Sequence, residues 1–224
     1  MEIAAIQHFS LLDYPGKISA IIFTQGCPFR CAYCHNSELQ PVLTGRIPFT
    51  EVLAFLQTRV GLLEGVVFSG GEPLMQQDLY NAIVQVKNLG FDIGLHTSGA
   101  SPSQLKKVLS VVDWVGFDMK TTFENYEAIT KVPNSGTFAK KSFDTLLQYR
   151  DTINFEIRTT VDSRYISFND LMQIANFLKE NDVDEWILQQ CILRHEAQED
   201  VYLPLPSDAE IDALKKVIDV KIRT

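Results

Sequence analysis

Positive charge is scarce in this 224-residue chain: 20 Lys and Arg stand against 28 Asp and Glu, a formal net charge of −8. An acidic surface of that size favours solubility and argues against a nucleic-acid-binding stripe. Long apolar runs are missing as well. No stretch approaches the ~18 consecutive apolar residues of a membrane-spanning helix. The opening segment has no basic region followed by a long apolar run, so no secretory leader is read there. A cytoplasmic protein with neither nucleic acid nor membrane as partner is expected. Cysteine is rare too. Of four, Cys27, Cys31 and Cys34 crowd into one short segment and Cys191 stands alone. A disulfide framework spreads its cysteines and belongs to small secreted domains, so clustered thiols point instead to metal ligands or catalytic groups. Linkers, low-complexity tracts and clear repeats are also lacking.

What remains is ordinary globular composition, 46% hydrophobic and 21% charged. The length suits one domain, residues 1–224, with a full core. Apolar, β-rich runs fall at Ile18–Thr24, Gly65–Ser69, Asp92–Thr97, Trp114–Met119, Asn154–Val161 and Glu185–Gln190. Most are near-continuous rather than alternating, as in parallel strands buried on both faces. Helical patterns fall between or after them at Thr50–Arg59, Asp78–Leu89, Ser103–Val111, Phe138–Tyr149, Ser167–Asn181 and Ser207–Val217. Asp78 and Ser207 are candidate N-caps, and Asn88-Leu89-Gly90 is a helix stop. Strand and helix alternate about six times, which implies βαβ units. Either a doubly wound sheet or an open partial barrel fits, and in both the reactive residues follow the carboxyl ends of strands. Asp13-Tyr14-Pro15-Gly16 is a turn signal, so residues 1–17 are expected to form a hairpin or lip.

The chemistry concentrates after the first buried strand. Gly26-Cys27-Pro28-Phe29-Arg30-Cys31-Ala32-Tyr33-Cys34-His35-Asn36 spaces its cysteines C-x3-C-x2-C. Close spacing lets one loop wrap an iron–sulfur cube, which normally takes four thiolates. Three local thiols leave one iron without a protein ligand, and an open position marks a catalytic rather than a structural metal site. A structural zinc site would need His35 as fourth ligand, but it adjoins Cys34, and neighbouring residues close a tetrahedron poorly. Three buried thiols without metal are the plainest alternative.

This loop resembles that of the radical S-adenosylmethionine (SAM) enzymes, whose signature is C-x3-C-x-aromatic-C after the first strand of a β/α chain. More narrowly, Cys27–Asn36 resembles the activases of glycyl radical enzymes, such as those serving pyruvate formate-lyase and anaerobic ribonucleotide reductase. Leu12-Asp13-Tyr14-Pro15-Gly16-Lys17 is similar to relatives of the latter. The resemblance implies an α/β fold, a partial (β/α)6 TIM-like barrel. It implies a 4Fe-4S cluster on Cys27, Cys31 and Cys34, with SAM on the open iron. Reduction then cleaves SAM to methionine and a 5′-deoxyadenosyl radical, which takes a hydrogen atom from substrate. In an activase that substrate is a glycine in a loop of a partner protein, here expected to be anaerobic ribonucleotide reductase.

The remaining site residues follow from the same resemblance. Ser69-Gly70-Gly71-Glu72-Pro73 matches the family's Gly-Gly-Glu-Pro motif, which contacts the SAM amino group. Paired glycines also let a backbone approach a ligand closely, and Glu72 offers an acceptor to an ammonium. His96-Thr97-Ser98-Gly99 stands where many activases carry Asp-Thr-Asn-Gly; the departure places His96 between a cleft role and a structural one, with Ser98 beside it. Asp118-Met119-Lys120 resembles the activases' Asp-x-Lys, in which a lysine ammonium pairs with the SAM carboxylate. Arg158, costly in an apolar strand unless paired, is read toward SAM, and an ion pair with Glu156 along the same strand is not expected. Tyr33 is read against the adenine edge and His35 as a hydrogen-bonding neighbour of cluster or cofactor. Cys191 is either a buried thiol or part of the rim, not a cluster ligand. With four cysteines no further cluster module is expected, and the electron is expected from an external donor such as flavodoxin or ferredoxin. Two rival readings stay open: a small-molecule enzyme like 7-carboxy-7-deazaguanine synthase, and a non-catalytic iron–sulfur electron carrier.

Overall fold

A run such as Gly65-Val66-Val67-Phe68 is apolar at consecutive positions, and consecutive strand residues point to opposite faces. Such a strand is stable only if both faces are covered, and helices between parallel strands cover them. The computed structural model, which describes residues 1–193 and 199–224, is built this way. In chain order the elements are β1 (Ile3–Ser10), β2 (Ser19–Thr24), α1 (Phe49–Gln57), β3 (Gly65–Gly70), α2 (Leu79–Lys87), β4 (Asp92–Thr97), α3 (Pro102–Val108) and β5 (Trp114–Asp118). Then come α4 (Tyr126–Thr130), α5 (Ser135–Leu147), β6 (Asn154–Val161), α6 (Phe168–Glu180), β7 (Glu185–Gln190), β8 (Ile192–Leu193), β9 (Val201–Tyr202), α7 (Asp208–Lys215) and β10 (Asp219–Arg223). The six strands and six helices expected from sequence are all present; β4, β6 and β7 match at both ends, and no other end is shifted by more than three residues.

The chain divides into two compact units. The first comprises Met1–Pro28, Asn36–Phe117 and Phe138–Phe155. Its sheet runs β1-β2-β3-β4-β5, with β1 antiparallel to β2 and the others parallel. Val66, Val67 and Phe68 on β3 are all fully buried, as the continuous run requires. Val52 and Leu56 of α1, Ile83 and Val86 of α2, and Leu105 and Val108 of α3 are buried likewise. Each contributes about 1.5–3 kcal/mol by leaving water. The expected hairpin exists: β1 and β2 are joined by a turn in which Lys17 N–H donates to the Tyr14 carbonyl at 3.1 Å and Gly16 has φ 75°. Proline then glycine at the two central positions is the chemistry of a type II turn. The turn drives Tyr14 inward, where it stacks on Trp114 at 5.4 Å and joins Ile21 and Val67 in one buried cluster.

The second unit comprises Phe29–His35, Asp118–Thr137 and Glu156–Thr224. Here β7 pairs in parallel with β6 and with β10, a strand not read from the sequence. Trp186 of β7 is fully buried, and its indole N–H donates to the Thr159 hydroxyl at 3.0 Å; that hydroxyl donates in turn to the Met119 carbonyl at 2.8 Å. A capping box closes the start of α6: Ser167 N–H donates to the Asp170 carboxylate at 2.9 Å. Ser207 and Glu210 repeat the device at α7. Asp78 stands at the N-cap of α2 as expected, but its side chain makes no capping bond. Among the described residues no helix is long and apolar enough to cross a membrane.

Candidate functional site

Each unit carries part of the predicted constellation. In the first, β3 ends in Gly70 and Gly71. Gly71 N–H donates to the Thr24 carbonyl and Glu72 N–H to the Gly26 carbonyl, both at 2.9 Å. A Cβ on Gly71 would lie 2.2 Å from the Gly26 oxygen, and one on Gly70, at φ 113°, 2.3 Å from Thr24 N. The glycine pair is therefore required by backbone against backbone: it locks the end of β3 to the residue that opens the cysteine loop. Gly26 itself donates to the Leu39 carbonyl and Cys27 to that of Gln40, fastening the loop's entrance.

Glu72 is 1% exposed. Its Oε1 accepts from the Thr97 hydroxyl at 2.7 Å and from Leu74 N–H at 3.1 Å; its Oε2 accepts from Ser98 N–H at 2.9 Å and from the Ser98 hydroxyl. Burial pushes the carboxyl above its ordinary value, against the hydrogen bonds from Ser98 and Thr97. Both oxygens are thus engaged by the chain itself, so the side chain acts as a tie between the ends of β3 and β4 rather than as an open acceptor. Pro73 is buried at the start of the 3-10 turn Pro73–Met75. The sequence reading missed Thr97, whose role shows only when β3 and β4 are brought side by side.

His96 departs from the family pattern, and its contacts explain what it does. Its Nε2 lies 2.8 Å from the Asp13 carbonyl, its Nδ1 3.4 Å from the Ser69 hydroxyl, and its ring edge meets Trp114 at 5.4 Å. A carbonyl only accepts, so Nε2 carries the proton. His96 holds the N-terminal turn against β4.

The second unit holds Cys31, Tyr33, Cys34, Asp118, Lys120 and Arg158. The cysteine segment is shaped locally: Cys34 N–H donates to the Cys31 carbonyl at 3.1 Å, Arg30 N–H to the Thr130 carbonyl at 2.8 Å, and Phe29 is buried. Cys27, Cys31 and Cys34 are half-buried, Cys191 is buried, and none is in a disulfide. Among the described residues no three His, Cys, Asp or Glu side chains gather tightly enough for a single metal ion. His35 is exposed.

Burial pushes the Cys31 thiol up, while the Lys120 ammonium pulls it down. Burial alone would lower Lys120, but Asp118, followed by Tyr33 and Cys31, holds the ammonium well above the ordinary lysine value. Lys120 Nζ lies 3.7 Å from Asp118 Oδ2 and 5.9 Å from the centre of the Tyr33 ring. Tyr126, absent from the sequence reading, accepts the Lys120 N–H on its hydroxyl at 3.0 Å. Met119 is buried, 1% exposed, and its carbonyl accepts from the Thr159 hydroxyl. Arg158 donates Nε–H to Asp118 Oδ1 at 2.9 Å. The expectation about Glu156 is corrected: Arg158 Nη1 also lies 3.8 Å from Glu156 Oε1, because long side chains on one face of a strand bend toward each other across the two-residue step. Glu156 is held in turn by Arg223 of β10 at 2.9 and 3.2 Å.

The donor set fits the implied cofactors. Three thiols in one loop match the three protein ligands of a cluster with one open iron. The Tyr33 hydroxyl, on a residue 7% exposed and with no hydrogen-bond partner among the described residues, is an orphaned polar atom in the neighbourhood of Lys120. Buried hydroxyls are normally satisfied, so such an atom marks a place for a polar ligand.

Residues 21–188 match the model of the radical SAM superfamily. A Methanocaldococcus jannaschii protein named as a glycyl-radical enzyme activating enzyme is 30% identical over 99% of this chain and 95% of its own. The pyruvate formate-lyase-activating enzyme of Clostridium pasteurianum is 28% identical over 80% of this chain and 76% of its own. Among solved structures, native anSMEcpe with bound AdoMet superposes with TM-score 0.66 at 19% identity, covering 89% of this chain and 61% of that one. Streptococcus suis SuiB gives 0.65 at 12% identity over 91% of this chain, which spans about half of SuiB's length. These likenesses show the fold, an α/β partial TIM-like barrel. With three quarters of its length inside the family model, and a relative matching it almost end to end, the chain belongs to the radical SAM superfamily, whose members use a 4Fe-4S cluster and SAM to generate radicals.

Proposed function

We propose that this protein is a glycyl-radical-enzyme activase, residues 1–224 acting as one radical SAM domain in the cytoplasm, with anaerobic ribonucleotide reductase as its protein substrate. The observation that carries the reading is the C-x3-C-x2-C loop in a chain that an activating-enzyme relative matches almost end to end. When bound, cluster and SAM would supply a one-electron reductive cleavage of the C5′–S bond, with methionine leaving and the hydrogen of a glycine Cα ending on 5′-deoxyadenosine.

In this reading Cys27, Cys31 and Cys34 hold the cluster. The raised Cys31 thiol surrenders its proton on ligation, and the adjacent Lys120 ammonium favours the thiolate. Lys120 receives the SAM carboxylate, kept charged by Asp118. Arg158 adds positive charge beside Asp118, and the Tyr33 hydroxyl finds its missing partner in SAM. Gly70, Gly71, Glu72, Pro73 and Ser98 shape the loop whose backbone meets the SAM amino group, with His96 bonded to Ser69 at its start and His35 at the solvent side. Flavodoxin or ferredoxin supplies the electron.

The test is anaerobic. The reconstituted chain, dithionite and SAM are mixed with anaerobic ribonucleotide reductase, and the glycyl radical is read by electron paramagnetic resonance against 5′-deoxyadenosine formed. The reading predicts a radical doublet on the partner in step with 5′-deoxyadenosine. Cleavage of SAM with no radical on this partner or on pyruvate formate-lyase would remove the activase reading and leave a small-molecule substrate.

A further inference from the structure

Five charged side chains of the second unit alternate in sign from its last strand to the cysteine loop. Arg223 on β10 grips Glu156 through its two terminal guanidinium nitrogens, Nη1 and Nη2, at 2.9 and 3.2 Å. Glu156 lies 3.8 Å from Arg158, Arg158 is bonded to Asp118 at 2.9 Å, and Asp118 lies 3.7 Å from Lys120. The distances show who holds whom. Arg223 has the two parallel bonds of a fork-on-carboxylate pair. Arg158 is beyond hydrogen-bond reach of Glu156 and gives its Nε–H to Asp118 instead.

Glu156 needs this partner. Its side chain is 10% exposed, and a carboxylate so placed must have a counter-charge. Two arginines are within reach, one on each side. The other cation of β10, Lys221, is paired with Glu185. If Arg223 lets go, the carboxylate turns to Arg158, a movement of about one ångström from contact to bond. Drawing Nη1 onto Glu156 swings the planar guanidinium as a whole, so the Nε–H bond to Asp118 is strained and the contact that helps set Asp118 beside Lys120 loosens.

We infer that Arg223 is a positioning residue for SAM: by occupying both oxygens of Glu156 it keeps Arg158 on Asp118 and Lys120 in place. The inference rests on the SAM site proposed above. It gives the final strand, which carries no family motif, a task at the site.

The experiment measures SAM affinity of the anaerobically reconstituted protein by equilibrium dialysis, together with iron content and the electron paramagnetic resonance signal of the reduced cluster on adding SAM. Arg223→Gln is expected to weaken SAM binding roughly fivefold to tenfold at unchanged iron content, with Arg223→Lys between it and the parent. The deciding variant is Arg223→Gln/Glu156→Gln. With no carboxylate left to draw Arg158 away, affinity returns to within about twofold of the parent. A purely structural role for Arg223 predicts the reverse, a double variant no better than the single one, and that result overturns the inference. So does unchanged affinity in Arg223→Gln. Failure of the parent protein itself to bind SAM is a different result: it removes the proposed function and the inference with it.

Discussion

Ser98 donates twice to one oxygen of Glu72, through its backbone N–H at 2.9 Å and through its hydroxyl. The pair closes β3 onto β4, so its loss is a matter of stability before it is one of binding. Glu72→Ala leaves buried donors on Leu74, Thr97 and Ser98 without an acceptor, and is expected to cost about 2–4 kcal/mol in chemical denaturation. Ser98→Ala keeps the backbone bond and costs about 1 kcal/mol. Glu72→Gln adds a pH signature. Burial raises the Glu72 carboxyl in the folded chain, so its contribution is fully present below the unfolded value near 4.5 and is lost as pH rises through the raised one. Glutamine does not titrate. The stability deficit of Glu72→Gln is therefore largest at acid pH and shrinks toward neutrality; a deficit that grows with pH contradicts the tie described here.

Gly71 and Gly90 separate two reasons for glycine. A Cβ at Gly71 would press on the Gly26 carbonyl at 2.2 Å, whereas at Gly90, φ 96°, it would meet nothing within 4 Å. Gly90→Ala is expected to cost about 1 kcal/mol, the price of a left-handed backbone. Gly71→Ala must move the entrance of the cysteine loop and is expected to cost about 3 kcal/mol or more. Thermal melts of the two variants side by side check the order.

Cys191 should be silent. It is 1% exposed, and burial pushes its thiol up to about 11, aided by the carboxylate of Asp162. At pH 8 about one molecule in a thousand carries the thiolate, the form that reacts. Counting thiols with a chromogenic disulfide reagent on the cluster-free chain should find Cys191 only after denaturation. Rapid native labelling of Cys191, located by mass spectrometry, would place it on an open rim instead.

The cysteine loop was legible because its signal is local: three ligands, an aromatic and a preceding buried strand lie in one stretch. The parallel strands were legible for a similar reason, since burial on both faces leaves unbroken apolar runs. β10 escaped because Asp219-Val220-Lys221-Ile222-Arg223 alternates polar and apolar at an edge, and the apolar Val217 and Ile218 between it and α7 blur the boundary. The five-residue α4 is too short to show a period. Partners distant in sequence were beyond reach: Glu72 with Thr97 and Ser98, Glu156 with Arg223. Glu156 with Arg158 failed differently. The strand step separates their Cβ atoms, but an arginine and a glutamate on one face are long enough to bring their charges within 3.8 Å.

Lys120→Ala removes the ammonium that Asp118 holds charged. It is expected to weaken SAM binding by about tenfold to a hundredfold while leaving iron and sulfide content at the parent level, as befits one charge-assisted contact. Equilibrium dialysis against SAM, with iron analysis of the same samples, reads both; parental affinity would take Lys120 out of the site.

The central claim is radical SAM chemistry at the cysteine loop, and the most direct measurement is 5′-deoxyadenosine formation. Iron and sulfide are reconstituted without oxygen, the protein is reduced with dithionite, and SAM is added. The account predicts 5′-deoxyadenosine from the parent chain, and none from Cys31→Ser, which stays folded by circular dichroism but holds no cluster. A Cys31→Ser protein with parental cluster content and parental SAM cleavage would contradict it.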